Sequence, residues 1–72
     1  MVLQDQPRHR EEALIDVAIA VKTAKRHRTT LVVHVEAERI FRQHPDCPVP
    51  LAALEAEMIR LGVSDRVAMQ FG

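Results

Sequence analysis

The segment EEALIDVAIAVKTAKRHR, residues 11–28, runs for eighteen residues without glycine or proline. Its apolar residues fall on more than one face. At about 100° per residue, Leu14, Val17, Ala18 and Val21 share one side of a helix, and Ile15 and Ile19 stand on a second. Asp16 and Thr23 hold the narrow polar edge between them. Glu11 and Glu12 open the segment and Lys22, Lys25, Arg26 and Arg28 close it, a polarity that complements the helix macrodipole at both ends. The apolar stripe is wider than a single neighbouring helix covers, and this width constrains every architecture available to the chain.

The constraint is sharp because the chain has only 72 residues. A domain of that size buries about 60% of the surface of its unfolded chain and is marginal alone. Such domains gain stability from a disulfide, a metal or a second copy. Cys47 is the only cysteine, which excludes an internal disulfide and fits a reducing compartment. Hydrophobic residues make up 47% of the chain and charged residues 28%, a composition that folds. Ten basic and ten acidic residues cancel, so no overall field steers the molecule to nucleic acid or membrane. The longest apolar run, residues 13–21, contains Asp16 and is too short to span a bilayer. Acidic residues before it and the lack of a small-residue cleavage site after it argue against a secretory leader, so the expected location is cytoplasmic.

Residues 1–10 show no periodicity and are expected to form a flexible N-terminus, leaving residues 11–72 as a single helical domain. In the second segment, residues 30–44, Thr30 would cap a helix with Val33, Ala37, Ile40, Phe41 and His44 on one face. Leu31, Val32 and Val35 would then point the other way. The same β-branched run also reads as a strand, with the helix beginning near Glu36; the helix is the favoured reading. HPDCPVP, residues 44–50, is a stiff connector. Pro50 opens a third helix striped by Leu51, Leu54, Met58 and Leu61. Gly62 is expected to end it in the left-handed conformation, with Val63 folded back on Met58. In the tail, Ser64 would cap a short helix, or Val67, Met69 and Phe71 would alternate as a strand. The expected fold is therefore all-α, a small three-helix bundle with a short C-terminal tail. The alternative is α+β, with short strands near 30–35 and 66–71.

Four constellations bear on function. LGVS, residues 61–64, resembles the turn of a DNA-reading helix-turn-helix, but the segment after it holds one arginine and ends within a few residues. Phosphate binding needs several cations. The basic cluster Lys22, Lys25, Arg26 and Arg28 places four cations in seven residues in a chain otherwise net acidic; dipole compensation and solubility are the favoured explanation, and a patch for phosphates or an acidic surface is the alternative. His34, His44, Asp46 and Cys47 have ligand chemistry, but one cysteine beside rigid prolines does not make a zinc site, and no metal or cofactor is expected. No phosphate loop or glycine-flanked serine is present, and Glu36 and Glu38 diverge on a helix, so neither an enzyme nor a small-molecule substrate is expected. The expectation is a non-enzymatic protein–protein interaction module or small regulator. It would be a homodimer, or bound to a larger protein, through Ile15, Ile19, Leu31, Val32 and Val35. The alternative is a DNA-binding regulator that uses the cluster at 22–28; if the ambiguous segments are strands, the element order resembles a winged helix that lacks its final wing strand.

Overall fold

The computed structural model describes the backbone of residues 5–71 and the side chains from Arg10 onward. Three helices pack against one another: α1 (Asp5–His27), α2 (Val33–Gln43) and α3 (Leu51–Ser64). Two short strands, β1 (Leu31–Val32) and β2 (Met69–Gln70), pair in parallel, with Leu31 opposite Met69 and Val32 opposite Gln70. The fold is a small helical bundle carrying a two-residue strand pair.

α1 starts at Asp5, six residues before the apolar periodicity begins. Pro7 lies in its first turn, where a missing N–H removes no helical hydrogen bond. Residues 1–4 of the expected flexible terminus lie outside the described residues. The core face of α1 is Ala13, Val17, Val21 and Ala24, at spacings of four, four and three. Leu14 and Ala18, expected on that face, are only half-buried beside it.

The second segment divides between both readings. Leu31 and Val32 are strand, and the helix starts at Val33 rather than Thr30. The Leu31 N–H donates to the Ala68 carbonyl at 2.8 Å, and this pairing draws Leu31 into the core at 3% exposure. Leu31 is therefore not part of an outer face, and Val32 is half-buried. Neither Thr30 nor any other side chain caps α2; its N-cap is Val32, continuous with the strand. Val33, Ala37 and Ile40 form its buried stripe as the spacing required, whereas Phe41 is exposed.

α3 runs through Gly62 to Ser64. Gly62 is helical and buried rather than left-handed, because Met69 of β2 lies against it. Val63 is consequently exposed instead of covering Met58. The chain turns four residues beyond the glycine: Arg66 takes the left-handed conformation with φ 59°, and Val67 N–H donates to Gly62 O at 2.9 Å. This is a Schellman ending with arginine in the place usually held by glycine. α1 ends the same way, with Arg28 at φ 56° and Thr29 N–H donating to Ala24 O at 3.0 Å. Leu54 and Met58 complete the core with Val49 and Val67.

Candidate functional site

Two surfaces stand out on this frame. The first is the side of α1 that faces away from the bundle. Ile15 and Ile19 are 57% and 55% exposed there, and Val35 on α2 is 57% exposed. Ile19, Ala20 and Thr23 of α1 border an open groove of about 410 Å³ whose other wall is Leu31, Val32, Val35 and Arg39. Leu14, Ile15 and Ala18 extend the apolar surface toward the helix start, next to Glu11. Of the five residues assigned to an interface from sequence, Ile15, Ile19 and Val35 are open to solvent, Val32 lies in the groove wall, and Leu31 belongs to the core. Val21 is also fully buried. Along α1 the exposed residues Glu12, Ile15, Ile19, Lys22 and Arg26 follow one another at three- and four-residue steps, so the outer stripe is acidic, then apolar, then basic.

The second surface lies where the C-termini of α1 and α3 meet. Lys22, Lys25, Arg26 and Arg28 surround Asp65 there. Arg66, which the sequence showed only as an isolated cation, joins Lys25 and Arg28 in lining a cavity of about 460 Å³ with Thr29, Thr30 and Val67. None of these five cations forms an ion pair with a described residue. Only the packing of α3 against α1 brings Arg66 to the cluster. The two arginines stand just past the ends of α1 and α3, at the two left-handed positions, and nothing local in the sequence marks them as neighbours.

Two histidines, His34 and His44, join helices. His44, at the end of α2, donates from Nε2 to the Asp16 carboxylate of α1 at 2.7 Å. His34 Nδ1 pairs with Glu55 of α3 at 2.8 Å, and this hydrogen bond and the Glu55 charge raise the His34 pKa above its ordinary value. Cys47 Sγ accepts the Val49 N–H at 3.4 Å in the connector. No group of three or more His, Cys, Asp or Glu with metal-binding geometry occurs among the described residues.

The segment 61–64 is continuous helix, so no second helix crosses a turn there. The order helix, strand, helix, helix, strand does match the winged-helix analogy. However, the strands run parallel, and α3 in the position of a reading helix presents Ala52, Ala53, Ala56 and Val63. Its one arginine, Arg60, is tied to Glu57, whose pKa that hydrogen bond lowers. Among the described residues no helix is long and apolar enough to cross a membrane. No protein-family model, curated protein or solved structure matches the chain.

Proposed function

We propose that the protein is a non-enzymatic interaction module of the cytoplasm that self-associates through the outer face of α1. The observation that carries this reading is the pair Ile15 and Ile19, more than half exposed and diametrically opposite the core stripe of their own helix. Nothing in the fold requires large apolar residues there, since charged side chains at both positions would leave the core intact.

The charge order of the stripe favours a second copy as the occupant. If two α1 helices lie antiparallel about a two-fold axis, Ile15 of one meets Ile19 of the other. The same register sets Glu12 against Lys22 of the second copy, and Glu11 near its basic end. Burying the exposed half of four isoleucines contributes about 4 kcal/mol. Association costs at least about that much. The groove residue Val35, the flanking Leu14 and Ala18, and the end charges therefore have to contribute. The isoleucines alone only offset that cost, so a dimer populated at high micromolar concentration needs about 5 kcal/mol from these flanking contacts.

Sedimentation equilibrium tests this directly. The wild type is expected at twice the 8.2 kDa chain mass at high micromolar concentration. Ile15→Ser with Ile19→Ser is expected to sediment as a folded single chain, with helical circular dichroism retained. A wild-type protein that stays monomeric at several hundred micromolar would overturn self-association.

A further inference from the structure

The described chain contains two non-glycine residues with positive φ, and both are arginines, Arg28 and Arg66. Both line the same cavity between the ends of α1 and α3. Backbone strain of this kind persists where the surroundings impose it, and it concentrates at functional sites. Glycine would satisfy either turn better, so the turns do not explain why arginine stands at both.

Compensation of helix dipoles explains only part of the charge. Each helix C-terminus carries about half a negative charge, and Asp65 adds a full one. Against these stand Lys22, Lys25, Arg26, Arg28 and Arg66, leaving about three positive charges in excess at one end of a molecule whose formal net charge is zero. Thr29 and Thr30 place two hydroxyl donors on the cavity wall beside Lys25 and the arginines. The rest of the wall is the Asp65 carboxylate, already counted in that balance, and the small apolar Ala24, Val67 and Ala68.

From this geometry we infer that the junction of α1 and α3 is a binding site for a compact, multiply charged phosphate group of a small molecule, held by Lys25, Arg28 and Arg66 with Thr29 and Thr30. Arginine presents paired donors matched to phosphate oxygens, and lysine adds a mobile point charge. A nucleic-acid backbone fits less well. It would need a row of cations along the surface, whereas these converge on one cavity, and no aromatic residue lines it to stack a base. The site adjoins the groove beside Ile19 and shares Thr29 and Thr30 with it, but Lys25, Arg28 and Arg66 lie outside that groove, and the inference does not require the chain to dimerise.

The test uses the full chain at low ionic strength, titrated calorimetrically with sodium pyrophosphate and, in parallel, with sodium chloride of equal ionic strength. Pyrophosphate is expected to bind and to raise the melting temperature, and chloride is not. The variants Arg28→Gly and Arg66→Gly remove the charge while relieving the left-handed strain, so each is expected to melt no lower than the wild type. Each is nonetheless expected to bind pyrophosphate at least about tenfold more weakly. Lys25→Gln should weaken binding in the same direction. The inference is overturned if pyrophosphate has no more effect than chloride, or if both glycine variants bind as the wild type does. It is also overturned if duplex DNA binds with a steep salt dependence while pyrophosphate at millimolar concentration does not compete.

Discussion

At Gly62 a single missing methyl decides how the tail closes on the bundle. A Cβ there would stand 2.5 Å from Met69 Sδ, well inside contact distance. Glycine inside a helix costs about 1 kcal/mol relative to alanine. The position thus exchanges helix propensity for the seat of Met69, which fixes β2 beside β1. Gly62→Ala is expected to yield little or no stability in the wild-type background, because the Met69 side chain has to move. In a Met69→Ala background the same change should stabilise by about 1 kcal/mol. Urea denaturation of the four proteins at one concentration measures the coupling, and additivity within about 0.5 kcal/mol would show that the close approach carries no energy. The sequence could not disclose this role. Gly62 followed a clean apolar stripe, where a glycine ordinarily ends a helix, and only the return of Met69 from beyond the helix makes glycine necessary inside it. The same displacement hid the strained arginines, since a left-handed arginine has no local signature.

Between elements, polar pairs supplement a core with no aromatic residue in it. Asp16 and His44 join α1 to α2, and His34 and Glu55 join α2 to α3. The Glu55 carboxylate, reinforced by the charge of Glu38, raises the His34 pKa in the folded protein. A histidine raised on folding adds stability that is fully present below its unfolded value, about 6.5, and is lost as pH rises through the folded value. Wild type should therefore exceed His34→Gln in denaturation midpoint at pH 6, with the gap narrowing by pH 8. An equal gap at both values would remove the charged pair from the account. The helical elements were legible because Val33, Ala37 and Ile40, and Leu54 with Met58, repeat at helical spacing and are buried in the same stripes. β1 was legible only as the alternative, for a physical reason: the β-branched run at 31–33 permits a strand as well as a helix. The deciding partner, Ala68 to Gln70, lies beyond two helices in the chain.

Across the whole molecule, neutrality conceals an ordered separation of charge. The protein extends 42 × 21 × 17 Å, with acids at one end of the outer stripe of α1 and bases at the other. The isoleucine pair was legible from residues 11–28 alone, because its excess width needs no knowledge of the other helices. The portion contributed by the second segment was not, since Leu31 turns inward as soon as β1 forms. An antiparallel pairing of two such stripes is self-complementary, whereas a parallel pairing sets like charges together. Because each contact occurs twice about a two-fold axis, one reversed charge is felt twice. Exposed pairs are worth about 0.2–1 kcal/mol each, so Glu12→Lys or Lys22→Glu alone should weaken the dimer by roughly 0.5–2 kcal/mol at low salt. Combining Glu12→Lys and Lys22→Glu in one chain recreates opposite charges across the axis and should restore the affinity. Dissociation constants from sedimentation equilibrium decide the matter. If the single reversals leave the affinity unchanged, or the combined variant stays as weak as either alone, the two copies do not meet along α1 in this register.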